Sequence, residues 1–230
     1  MILNLDGKKL TLDWNCLIEI EDGRPQSNAV KALVEHHRSG LCDVALLATS
    51  ASENSRSMRF PGNAALFQER IQKLGLDDLP ILLAPGVWGL TYLDLAFWVD
   101  EKEFEFLYPA LWKAMFPKVN AEARSYLAID ETFDDEFIQS EALSSWRNRW
   151  CDVMSAYSHI YAKRDIFVTL NSRDFQKNGV QLAALGIGSI LTPADCFQAD
   201  RNRSEMCLRW PPLPRQQRCV KSRTQHPNPT

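Results

Sequence analysis

The 230 residues carry a formal net charge of −3 and are 45% hydrophobic and 24% charged, the balance of one sizeable globular domain. No apolar run approaches the roughly 20 residues a membrane-spanning helix needs, and residues 1–10, with polar Asn4 and Asp6, lack the form of a secretory signal. Cys16, Cys42, Cys151, Cys196, Cys207 and Cys219 are scattered without a C-x-x-C pair, so they read as reduced structural thiols of a cytoplasmic protein, not as a disulfide frame or zinc site.

Charge is unevenly spread. Residues 209–230 hold five basic groups, five of the twelve prolines and no acid, which predicts a disordered basic tail. Residues 1–208 form the single domain and carry 21 basic against 29 acidic groups. An acidic body of this kind is not a conventional nucleic-acid-binding footprint.

In chain order, Leu10, Thr11 and Leu12 predict a first buried strand, with Asp13 at its end and Asn15 two residues on. Cys16, Leu17, Ile18 and Ile20 start a short helix that Gly23-Arg24-Pro25 breaks. Ser27 suits the N-cap of a second helix with an apolar stripe of Ala29, Val30, Leu33 and Val34, and Gly40 suits its C-cap. His36 and His37 in its last turn complement the helix dipole at the surface. Residues 44–48, Val-Ala-Leu-Leu-Ala, form a second buried strand, followed by Thr49, Ser50, Ser52 and then Glu53. Residues 64–74 predict a third helix with Leu66, Phe67, Ile71 and Leu74 inward, closed by Gly75.

Residues 76–137 break the alternation and are expected to be an inserted, aromatic-rich helical segment. Nine aromatics stand between Trp88 and Phe116, with Asp94, Asp100, Glu101, Glu103 and Glu105 among them. Such a segment serves as core, dimer contact or cleft wall. The acidic run Asp130, Glu131, Asp134, Asp135 and Glu136 suits a solvated helix start. Asp152 is then placed at the mouth of an amphipathic helix whose Val153, Tyr157 and Ile160 share a face. Ile166-Phe167-Val168-Thr169 follows as a buried strand, with Asn171 and Asp174 just past its end. Leu182–Leu185 finishes a helix, and residues 188–192 give a last strand, with Pro193 starting a turn.

Asp13, Glu53 and Asp152 thus lie in three distant parts of the chain, each beside a buried strand or a helix start. A parallel sheet brings such strand ends to one edge. Crowded carboxylates repel one another, and Mg²⁺ or Mn²⁺ relieves that repulsion. Such an ion can activate water and stabilise charge on a phosphate. The same spacing also fits exposed loop acids.

Several of these segments together resemble the PIN-domain family of metal-dependent ribonucleases, which includes many toxins of toxin–antitoxin pairs. Leu12-Asp13-Trp14-Asn15-Cys16-Leu17-Ile18 matches the family's opening strand and D-x-N-x-L-I; Glu53 in T-S-A-S-E-N stands at the second acid. Asp152, through Asp165 to Thr169, follows the layout from the third acid into the strand; Arg173-Asp174-Phe175 and Thr192-Pro193 match the closing features. The likeness covers about residues 9–75 and 140–197 and rests on order and spacing, not on any one motif.

The resemblance implies a three-layer α/β/α domain with a central parallel sheet and an endoribonuclease using Mg²⁺ or Mn²⁺. Asp13, Glu53, Asp152 and Asn171 would be catalytic, and Asp13, Glu53, Asp152 and Asp174 metal-holding. Asn15 would brace Asp13, and Thr169 would position water or support a ligand. One position departs from the pattern: Asn171 stands where the family carries its fourth acid, bringing an amide without charge. The implied partners are an RNA substrate, an antitoxin or other protein, and a second copy in a homodimer. A degenerate module that binds RNA or protein without cutting is the other implied reading.

Overall fold

The computed structural model describes residues 4–51, 64–87, 90–91, 93–127, 137 and 140–197. Glu53, the acidic run at 130–136, the tail at 209–230, Cys207 and Cys219 lie outside the described residues. The strands among those described are β1 (Lys9–Leu12), β2 (Asp43–Leu47), β3 (Ile81–Leu82), β4 (Ala84–Pro85), β5 (Ala96–Phe97), β6 (Ile166–Val168) and β7 (Ser189–Leu191). Five of them form one sheet in the order β3-β2-β1-β6-β7, with every neighbouring pair parallel. Thr11 of β1 lies between Ala45 of β2 and Phe167 of β6, which fixes the central register. Among the described residues β4 and β5 pair only with each other.

Helices flank this sheet: α1 (Trp14–Glu21), α2 (Ser27–Arg38), α3 (Ala64–Lys73), α4 (Glu101–Met115), α5 (Glu141–Tyr161) and α6 (Gly179–Ala184). Strand alternation explains how two cores share one sheet. Leu10, Leu12, Val44, Leu46, Ile166 and Val168 pack with Leu17, Leu33, Phe67 and Ile71 from α1 to α3. Phe167 and Leu47 pack instead with Leu111, Trp150, Tyr157 and Leu182 from α4, α5 and α6. Successive residues of a strand face opposite ways, so the apolar runs are what a sheet covered on both sides requires.

Several expectations change at this level. Strand β3 lies within the 76–137 segment yet pairs with β2, so that segment supplies an edge of the main sheet as well as a helix. Its aromatic residues are partly core: Trp112 of α4 packs against Trp146 of α5 at 5.7 Å between ring centroids. Ser27 is the first residue of α2, and Gln26 occupies the cap without a side-chain capping bond, its Oε1 accepting the Ala194 N–H at 3.0 Å instead. Gln26 is also held by Glu19, whose carboxylate accepts its backbone N–H at 2.9 Å. Leu66 faces outward, 45% exposed, because α3 turns Phe67 and Ile71 to the core. His37 serves the fold, accepting the Val44 backbone N–H on Nδ1 at 3.0 Å. Thr192-Pro193 opens a helical turn over residues 193–197, where Thr192 and Asp195 bond reciprocally as a capping box.

Helix α5 organises the second core. Ser140 caps it, and Leu143, Trp146, Trp150, Val153, Met154 and Tyr157 recur at three- and four-residue steps and are all buried. Each such side chain contributes about 1.5–3 kcal/mol by leaving water. Asp152 lies in the fourth turn of this helix and not at its mouth, because the apolar period begins at Leu143. Near the other end, Arg164 clips the amino ends of β1 and β2 together. Its guanidinium donates to the carbonyls of Leu10 and Asp43 at 2.7 and 2.6 Å and to the Asp43 carboxylate at 3.1 Å.

His159 of α5 ties the helix to the sheet. Its Nε2 lies 2.8 Å from the Ile187 carbonyl, which can only accept, so Nε2 carries the proton. Nδ1 is therefore free to accept from the Thr11 hydroxyl at 2.8 Å. Burial is the main cause that pushes this imidazole down to about 4, against about 6.5 for an unperturbed histidine. Between those values the unfolded chain binds a proton the fold refuses, so stability falls as pH drops from about 6.5 to about 4. The expected loss from this group is ~3 kcal/mol. Urea unfolding at pH 7 and pH 4.5 should show a steeper loss for the wild type than for His159→Gln; equal losses contradict the assignment.

Candidate functional site

The order of the sheet reverses at β1: the chain runs outward through β2 to β3, then returns to the other side of β1 with β6 and β7. The carboxyl ends of β1 and β6 therefore diverge into a crevice, the place where open parallel sheets build sites. Asp13 ends β1 there and caps α1, its Oδ1 accepting the Trp14 backbone N–H at 2.8 Å. Its Oδ2 accepts from Asn15 Nδ2 at 3.0 Å and from Thr169 Oγ1 at 2.6 Å. The backbone is fixed as well, since the Asp13 N–H donates to the Val168 carbonyl at 3.0 Å. Asn15 thus braces Asp13 as expected. Thr169 proves to be a second brace, and its hydroxyl also accepts the Asn171 N–H at 3.0 Å.

Asp13 is 1% exposed, and burial pushes its carboxyl above the usual range although its hydrogen bonds pull the other way. Asp152 rises further. Burial is the first cause, and the negative charges of Asp13 and Asp174 add to it. Asn171 and Arg173 oppose that rise. The structure therefore brings Asp13, Asp152 and Asp174 into one field with too little positive charge to balance it.

Asn171 is oriented by a turn. Residues 172–176 form a single wide helical turn that Asn171 caps, Oδ1 accepting the Asp174 N–H at 3.1 Å. Its NH₂ consequently points toward Asp152, 3.5 Å from Oδ2. In this arrangement its oxygen is committed to the turn, so it steadies Asp152 and positions Asp174. Phe175 locks the turn by stacking on Phe167 at 4.6 Å.

Glu53 is outside the described residues, but the segment leading to it is held beside the site. The turn Ala48–Ala51 follows β2 and is buried, and the Thr49 hydroxyl lies 2.7 Å from that of Ser155, one turn beyond Asp152 on α5. Among the described residues no three His, Cys, Asp or Glu side chains are already arranged as a metal cage. The donor chemistry nevertheless fits a hard divalent cation. Asp13 and Asp152 offer carboxylate oxygens whose mutual repulsion such an ion would cancel.

Two clefts flank this centre. One, of about 360 Å³, is lined by Phe116, Ser145, Asn148, Arg149, Asp152 and Arg173, among others. The second, of about 340 Å³, is lined by Asn15, Glu19, Arg24, Asn171 and Arg173, with Leu170. The sequence reading missed the arginines and Asn148. The signal was present as S-x-x-N-R-x-x-D from Ser145 to Asp152, a polar stripe at helical spacing. It becomes visible only when the helix is traced back beyond Asp152. Compared with family models, curated proteins and solved structures, the chain matches none.

Proposed function

We propose that the protein is a metal-dependent endoribonuclease with a PIN-like three-layer α/β/α domain. The observation that carries this reading is the meeting of Asp13 and Asp152, from distant parts of the chain, as a buried and a half-buried carboxylate that repel each other at the switch point of a parallel sheet. Asp13 is held rigid by the Trp14 N–H, Asn15 and Thr169, so little reorganisation is needed when it meets a charged ligand. Asn171 holds Asp152 and the Asp174 turn in register. Asp13 and Asp152, with Glu53 and Asp174 as further oxygen donors, would hold a Mg²⁺ or Mn²⁺, which would supply an activated water and charge stabilisation for a phosphodiester. Arg173 lies at the rim, where it can meet a phosphate oxygen.

A second reading is favoured by Asn171: without a fourth charge, and with its oxygen used in the turn, the domain binds RNA without cutting it. The experiment that separates the two is cleavage of a labelled mixed-sequence single-stranded RNA in Mn²⁺, with and without EDTA. Cleavage that EDTA stops is expected. Binding without cleavage by folded protein gives the field to the second reading.

A further inference from the structure

We infer that Arg149 is a phosphate-holding residue, and that the cleft between α5 and the segment after α4 seats the nucleotide next to the reacting one. This inference rests on RNA being the ligand, but not on its being cut. Ser145, Asn148, Arg149 and Asp152 follow one another at three- and four-residue steps along α5, so they share one face. All four line the same cleft, whose opposite wall is Phe116 and Val119 and whose inner end is Asp152, Arg173 and Asp174. A strand entering along this face therefore runs from Ser145 toward the carboxylates.

The guanidinium of Arg149 sits 6.0 Å from the centre of the Phe116 ring, and Arg149 forms no ion pair among the described residues. Phe116 is itself buried, wedged against Trp112 at 5.8 Å, so it is a fixed support. An arginine steadied over an aromatic face keeps its N–H fork for another partner, and that fork matches two oxygens of a phosphate. Carboxylates at the cleft floor repel a polyanion. A cation held at the wall is what allows one to enter.

Arg173, 85% exposed in its side chain, belongs to both clefts and stands between them. Arg24 lines the second cleft beyond it. Arg149, Arg173 and Arg24 thus mark one path across the site, with the carboxylates beneath its middle. A volume of about 360 Å³ is of the size that takes one small ligand. A single nucleotide with exposed base edges fits it, and Ser145 and Asn148 offer hydrogen-bonding groups to such edges.

The test is fluorescence anisotropy of a labelled single-stranded oligoribonucleotide in EDTA, so that nothing is cut, over a salt series. Wild type, Arg149→Ala, Arg149→Lys and Phe116→Leu are compared, with folding checked by circular dichroism. Arg149→Ala should weaken binding about 10-fold, and the slope of log affinity against log salt should fall by about 0.7, the value of one phosphate contact on a single strand. Arg149→Lys should restore the slope but not the full affinity, because a point charge lacks the fork. Phe116→Leu should weaken affinity while keeping the slope. Unchanged affinity and slope in Arg149→Ala overturns the inference, even if the wild type cleaves RNA. Arg149-dependent binding by a wild type that never cleaves supports it and removes only the hydrolase reading.

Discussion

Asp152→Asn is expected to abolish cleavage and, in metal-free buffer, to raise the melting temperature. The two effects have one cause. Asp152 is desolvated on α5 and faces the charges of Asp13 and Asp174, so its ionised form opposes folding at neutral pH. Asparagine is nearly isosteric and removes the charge. It also removes an anionic oxygen donor, which a hard cation needs. Single stabilising changes commonly give about 0.5–2 kcal/mol, or roughly 1–8 °C in a domain of this size. The loss in cleavage rate should be about 10³-fold or more, the scale expected when charge stabilisation in a buried site is removed.

The pH dependence gives the prediction its sign. The Asp152 carboxyl is raised in the fold, so its contribution to stability is present at low pH and lost as pH rises through the folded value. The advantage of the Asn variant should therefore shrink on acidification, opposite in direction to the His159 effect. Asp13→Asn should likewise abolish the proposed cleavage, without the same gain in stability. The Asp13 carboxylate accepts three hydrogen bonds, and an amide there would turn its NH₂ either against the Trp14 N–H or against the donors of both Asn15 and Thr169. Scanning calorimetry of both variants in EDTA checks this. A fall in melting temperature for Asp152→Asn contradicts the unbalanced-charge reading.

The largest loss of stability is expected from Gly188→Ala. Gly188 enters β7 with φ +72°, a region that costs a side chain about 1 kcal/mol or more. A Cβ there would also strike the carbonyl of Asp165, which cannot yield. That carbonyl accepts the Ser189 N–H at 3.1 Å, and the Asp165 N–H donates to the Lys9 carbonyl at 2.8 Å. The Asp165 side chain accepts the Lys9 N–H at 2.8 Å. Moving it disturbs the start of β1, β6 and β7 together. A cost of about 3 kcal/mol is expected, lowering the melting temperature by roughly 6–12 °C. Gly186→Ala is the control, because its Cβ would meet only the Ile160 methyl at ordinary contact distance, 3.6 Å. Equal losses for the two variants contradict the collision.

The framework of the site was legible because it depends on short-range signals. Apolar runs ending in Asp13 and Thr169 mark the buried strands, and a parallel sheet then sets their ends side by side. Asn15 bracing Asp13 follows from two residues of spacing. Other features depend on contacts that no local pattern encodes. The two-residue β3 is too short to show a period and exists because Leu46 and Leu47 offer it an edge. The start of α5 was missed, although Leu143, Trp146 and Trp150 extend the buried stripe of Val153 and Tyr157 back toward Ser140. That error placed Asp152 at a helix mouth and hid Arg149. The role of Asn171 could not be seen from its side-chain type alone, because it follows from the turn at 172–176.

The most direct measurement is calorimetric titration of Mn²⁺ into the folded wild type, Asp13→Asn and Asp152→Asn. Saturable binding by the wild type, weakened at least 10-fold in each variant, is expected from a carboxylate-held cation. No binding by folded wild type, or binding that both variants retain unchanged, contradicts a metal centre built on Asp13 and Asp152.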